Sequence, residues 1–130
     1  MSMRILNPKS IAAPVGTYSH ALLAPGGGHW LHLSGQVGIT PDGAIPADFA
    51  GQAAAAWSNV RAILVEAKMS IGDLIKVTTF LVDSNDVPAL GPVRASFLGE
   101  HRPASTLLVV AALARPEWRI EIEAIAWRAD

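Results

Sequence analysis

Arg119-Ile120-Glu121-Ile122-Glu123-Ala124-Ile125-Ala126-Trp127, near the C-terminus of this 130-residue chain, has the alternation of a β-strand. Successive side chains of a strand point to opposite faces, so Ile120, Ile122, Ala124 and Ala126 form one apolar face. Glu121 and Glu123 share the other face with Ile125 and Trp127, and carboxylates two residues apart on one face stand roughly 7 Å apart. The apolar face marks the side packed on a core. The acid-aromatic face looks into either water or a pocket, and that choice decides whether the strand carries chemistry.

Working outward, Ala104 to Ala112 is a second strand, apolar on both faces: Leu107, Val109 and Ala111 against Leu108, Val110 and Ala112. Such a strand must be covered on both sides. Leu74 to Val82, rich in β-branched residues, is a third. Between Asp48, a plausible N-cap, and Lys68 the spacing predicts a helix. Phe49, Ala53, Ala56, Val60, Ile63, Leu64 and Ala67 form its buried stripe, with Gln52, Asn59 and Glu66 on its polar face. Asp86 caps a second helix that carries Val93 and Phe97 inward and ends around Gly99. Pro92 has no N–H, so regular helix is expected only from there. Tyr18 to Leu23 and Trp30 to Val37 read as strands separated by the loop Pro25-Gly26-Gly27-Gly28, and Thr40-Pro41-Asp42-Gly43 is a tight turn. The order predicts an α+β single domain, a mixed β-sheet with two helices packed on one face. The helices leave the other face bare, and another subunit is the simplest cover.

Composition narrows the function classes. The chain is 51% hydrophobic and 16% charged with mean hydropathy +0.34, which favours a buried oligomer interface. No run approaches the roughly 18 apolar residues of a membrane helix. Met1-Ser2-Met3-Arg4-Ile5-Leu6-Asn7-Pro8 lacks the apolar region of a signal peptide, so a cytoplasmic protein is expected. With no cysteine there is neither disulfide nor thiolate chemistry. Net charge is −1 and the ten Lys and Arg residues are scattered, without the basic stripe that nucleic acid requires.

Two readings of the Glu121/Glu123 pair stand side by side. Burial beside Trp127 would raise a carboxylate pKa and suit acid–base work; the plainer alternative is solvated carboxylates paired with Arg119 or Arg128. His20, His29, His32 and His101 have no metal-ligand spacing, so neither metal nor cofactor is expected. Ser34-Gly35-Gln36 is not a nucleophile elbow, and Gly26-Gly27-Gly28 is not a phosphate loop. Arg102 is either a bidentate carboxylate ligand or a solvated loop residue.

Gly16-Thr17-Tyr18, Ser34-Gly35-Gln36, the alanine-rich helix, Gly72-Asp73-Leu74-Ile75-Lys76-Val77, Asn85-Asp86, Pro103-Ala104 and Glu121-Ile122-Glu123-Ala124, in that order, resemble the Rid (YjgF-like) family of reactive intermediate deaminases. The resemblance implies a chorismate-mutase-like fold, a homotrimer, and a pocket for a small organic ligand at each subunit interface. The family's well-studied deaminases hydrolyse imines and enamines left by pyridoxal-phosphate enzymes. In them a glutamate on the last strand holds the attacking water, a position matched by Glu121, and a tyrosine matched by Tyr18 closes the pocket, with Ser34 and Gly35 at wall positions. The arginine that grips the substrate carboxylate directly after Pro-Ala is Ser105 here. An asparagine of the second helix is Gly91, and a frequent cysteine two residues past the arginine is Leu107.

A hydrogen bond to a charged group contributes about 1.5–3 kcal/mol and a bidentate clamp makes two, so serine at this position predicts weak action on the usual 2-imino acids. Arg102, three residues earlier, is the candidate to replace the lost charge. A hydrolase using Glu121 is one expectation; a non-catalytic metabolite-binding or regulatory protein on the same scaffold is another. An endoribonuclease or translation inhibitor is disfavoured by the missing basic patch.

Overall fold

The computed structural model describes residues 2–130; Met1, where the stretch read for a leader begins, lies outside them. Among the described residues run β1 (Arg4–Leu6), β2 (Ala21–Leu23), β3 (His29–Val37), α1 (Phe49–Glu66), β4 (Leu74–Leu81), α2 (Val87–Leu98), β5 (Ala104–Val109) and β6 (Ile120–Arg128). Strand β6 lies inside the main sheet, antiparallel to β3 on one side and to β4 on the other, and β4 pairs parallel with β5. The sheet order is β3-β6-β4-β5. A parallel pair needs a crossover connection, which α2 supplies.

The alternation on β6 holds. Ile120, Ile122, Ala124 and Ala126 are buried, Glu121 and Ile125 are half-buried, and Glu123 is exposed. Trp127 is also buried, but under the glycine loop, where its Nε1 donates to Gly27 O at 2.7 Å. It therefore gives the two glutamates no apolar wall. Helix α1 packs across β3 and β6 and against α2. The core between helices and sheet joins Leu33, Val77, Leu81 and Ile122 to Trp57, Val60, Leu64 and Leu90, with Trp57 stacked on Phe97 at 6.0 Å.

Asp48 caps α1 by accepting from Gly51 N at 3.1 Å. Its expected stripe is buried, with Ile63 half-buried, except at the end, where Ala67 is exposed because it is already the C-cap. Gln52 is not on a polar face. It is buried, donates from Nε2 to Pro46 O and Glu117 O at 3.2 and 3.0 Å, and accepts from Arg119 N at 2.9 Å. Asn59, two helical turns on, donates to Val37 O and Ile39 O. These two amides tie loop backbone to the helix, the only way a buried amide is tolerated. A Cβ at Gly38 would lie 2.6 Å from Gln52 O, so glycine permits the close approach of chain and helix there.

Helix α2 starts at Val87, not at Pro92. Pro88 lies in its first turn, where an N–H would be unpaired anyway, and Pro92 sits inside the helix. The carbonyl that loses its partner belongs to Pro88, whose exposure leaves it open to water. At the N-terminus, only Ala21–Leu23 of the expected Tyr18–Leu23 strand forms a strand, and it pairs with β1 in a separate two-stranded sheet. Ser19 bridges to Ala104 and donates its N–H to Pro103 O at 3.0 Å, so the segment before β2 lines the outer edge of β5. Strand β5 ends at Val109 rather than Ala112, and Leu107, Leu108 and Val109 remain 37, 45 and 49% exposed.

Gln52→Leu keeps the bulk but strands one N–H and two carbonyls in the interior. We expect a loss of about 2–4 kcal/mol in urea unfolding with unchanged m-value. A loss below about 0.5 kcal/mol would show the amide to be dispensable.

Candidate functional site

The chemistry-bearing residues fall into two groups on opposite faces of the sheet. The first begins at a break in the β3–β6 register. Leu33 faces Ala124 and Gln36 faces Ile122, so Ser34 and Gly35 together oppose Glu123. This is a β-bulge, a device that re-aims side chains. The Glu121 carboxylate lies directly on Gly35: a Cβ there would stand 2.6 Å from Glu121 Cδ and overlap Oε2. Glycine at 35 is thus what leaves room for the acid. Ser34 and Glu123, with His32, Lys76 and Thr78, line an adjoining depression of about 320 Å³.

Neither glutamate pairs with the arginines flanking the strand. Arg119 Nη2 lies 2.7 Å from Asp86 Oδ1, while Arg128 Nη1 donates to Lys68 O and reaches Asp73 Oδ2 at 3.5 Å. The plainer reading of the acidic pair therefore loses its ion pairs.

The second group surrounds a cavity of about 500 Å³ between α2, β5 and the segment before β2. Tyr18, Gly91, Ser105 and Leu107 all line it, and Val15, Val87 and Leu90 make its walls apolar. Tyr18 OH accepts from Val15 N at 3.2 Å and so folds that segment over the opening. Gly91 has nothing within 4 Å of a would-be Cβ, so the place of a side chain is empty space.

Arg102, expected to supply the missing charge, does not line this cavity. Its Nη1 donates to Gly99 O and His101 O at 2.6 and 2.9 Å, a brace for the turn after α2. Arg94 lines it instead, a residue the motif pattern had passed over. Only 7% exposed, Arg94 donates from Nη2 to Ser105 Oγ at 3.0 Å and to Thr17 O at 3.4 Å. Burial first, and the positive charge of Arg102 second, push its pKa below the usual guanidinium value. The signal was present in the sequence: Arg94 falls four residues after Leu90 and four before Leu98, a charge on the buried stripe of α2.

Within one chain the two groups do not meet. Ser105 pairs with Val77 and shares its helix-facing side, whereas Glu121 pairs with Phe80 and points the other way. His20 and His101 bind backbone: His20 Nε2 lies 2.6 Å from Ala12 O and His101 Nε2 2.7 Å from Leu74 O, while the exposed His29 reaches Asp130 at 2.9 Å. Among the described residues no group of three His, Cys, Asp or Glu is placed to hold a metal ion, and no helix is long and apolar enough to cross a membrane.

Gly35→Ala should move the Glu121 carboxylate off the bulge while leaving the β3–β6 register intact. A crystal structure of the variant with Glu121 in its present place would contradict the contact.

Residues 9–128 match the endoribonuclease L-PSP family. A RutC family protein of Pyrococcus horikoshii is 38% identical over 117 residues, covering 88% of this chain and 90% of that one. The 2-iminobutanoate/2-iminopropanoate deaminase of Escherichia coli K12 is 39% identical over 105 residues, covering 78% and 81%. Among solved structures, the Rid family protein YyfB of Yersinia pestis superposes with a TM-score of 0.87 at 29% identity, covering 98% of this chain and 100% of that one. Escherichia coli TdcF, solved with bound serine, gives 0.74 at 35% identity, covering 97% and 99%.

Proposed function

The chain belongs to the Rid (YjgF-like, endoribonuclease L-PSP) family, and we propose that it is a homotrimeric hydrolase of imines or enamines, working in the cytoplasm with its site between subunits. The observation that carries this is Glu121 lying over the glycine of a β-bulge, with no ion pair to either flanking arginine. A carboxylate so placed can accept a proton from a water aligned on an electrophilic carbon. The oxygen of that water bonds to the C=N carbon, and Glu121 passes the proton to the nitrogen. Glu121 then takes the hydroxyl proton of the adduct and delivers it to the amine as the C–N bond breaks, releasing ammonia and leaving a carbonyl. No cofactor is required. The name of the Escherichia coli deaminase supports imine chemistry.

The split site supports this assembly. Glu121, Ser34 and Gly35 lie on the helix-free face and Tyr18, Gly91, Ser105 and Leu107 on the other, so a complete site needs two chains. A closed ring of heterologous contacts joins unlike faces and covers the bare sheet at the same time. Tyr18 then orients the substrate against Glu121 of the neighbour, and Ser105 adds a neutral polar contact. Leu107 makes the cleft more apolar. Ser105, at the position where the resemblance places an arginine, argues for slow turnover of small 2-imino acids such as 2-iminobutanoate.

In analytical ultracentrifugation the protein should sediment as a trimer; a monomer at micromolar concentration would contradict the shared site. Glu121→Gln should lower turnover of the best imine in a substrate panel by at least about 100-fold while leaving the assembly intact. Unchanged turnover would remove Glu121 from the mechanism.

A further inference from the structure

We propose that Arg94 is the anion anchor of this cavity, so that the ligand is a carboxylate carried on a sizeable apolar body. The inference rests on the imine-hydrolase site above and names its substrate class. An arginine that is only 7% exposed as a residue calls for a counter-charge, because burying an unpaired ion is strongly unfavourable. Among the described residues the ion pairs are His29–Asp130, Arg119–Asp86 and Arg128–Asp73, and none involves Arg94. Both hydrogen bonds of Arg94 leave from Nη2, and its Nε is buried without a partner. The charge that acts on it, that of Arg102, is also positive.

A cavity lined by one cation, Arg94, with no carboxylate among its lining residues is complementary to an anion. The neutral partners of Arg94, Ser105 Oγ and the Thr17 carbonyl, fix the plane of the fork without neutralising it. The charge that motif reasoning finds missing from β5 is thus supplied from α2, one strand position being handed to a helix side chain. Its new origin alters what fits. The cavity extends to about 500 Å³ between Val15, Val87, Leu90 and Leu107, and a small imino acid held by Arg94 leaves most of that apolar space unfilled. An aromatic or branched side chain fills it.

The test is calorimetric binding with carbonyl compounds that undergo no hydrolysis: phenylpyruvate, phenylacetone, which has methyl in place of the carboxylate, and pyruvate, which lacks the aromatic body. The wild-type trimer should bind phenylpyruvate at least about tenfold more tightly than either of the others, the factor a single charge-assisted hydrogen bond supplies. Arg94→Met should abolish the preference over phenylacetone, and Arg94→Lys should retain part of it, with folding of both checked by circular dichroism. Equal binding of phenylpyruvate and phenylacetone by the wild type overturns the proposal, as does absence of binding to all three. A folded Arg94→Met protein that keeps the preference overturns it too. The wild-type comparison decides even where the variants fail to fold. Because no turnover is read, loss of the hydrolase function in Glu121→Gln leaves this result standing, and failure here leaves the role of Glu121 standing.

Discussion

Strand β6 must satisfy two environments at once, and the rest of the molecule follows from how it does so. Its even-numbered side chains from Ile120 to Ala126 are sealed beneath the helices, which fixes the strand in the middle of the sheet. A one-residue slip of register would bury two carboxylates and expose four apolar side chains, so the pairing is strongly specified. With register fixed, Glu121 and Glu123 have nowhere to point but the helix-free face. The bulge at Ser34-Gly35 then gives Glu121 the room to lie flat on its neighbour strand. Fold and candidate chemistry are set by the same alternation.

The second consequence is that one chain holds two incomplete sites. The acid looks out from one face, while the cavity with Tyr18, Ser105 and Arg94 opens at the far edge of the sheet on the other. In the proposed ring, each deficit is met by the opposite face of a second copy. The exposure of Leu108 on β5, and the apolar composition of the whole chain, point the same way. Within one subunit Glu121 and the cavity that holds Tyr18, Ser105 and Arg94 stay apart.

Much of this was legible in the residues. The strand alternation, the α1 cap at Asp48 and the β-branched run of β4 are local signals, and each survives in the structure. Membership of the Rid family was carried by motifs spread over nearly the full chain. What escaped depends on contacts distant in sequence. Gln52 looks like a surface residue until the loop around Glu117 folds onto it, and Trp127 looks like a pocket wall until the Gly27 loop covers it. The start of α2 escapes a reading of proline as a breaker, because the Pro88 carbonyl that Pro92 leaves unpaired faces water. Arg102 is nearer in sequence to the vacated arginine position, but Arg94 is the arginine that the fold brings to Ser105.

The central claim, that each site is built from two chains, is tested most directly by mixing inactive subunits. Chains carrying Glu121→Ala keep the cavity; chains carrying Gly91→Trp, whose side chain fills it, keep the acid. Refolded or co-expressed together, they should regain activity, because random pairing in a ring restores about a quarter of the sites with both intact halves. Mixed assemblies as inactive as either parent would contradict a shared site and return all of its residues to one chain.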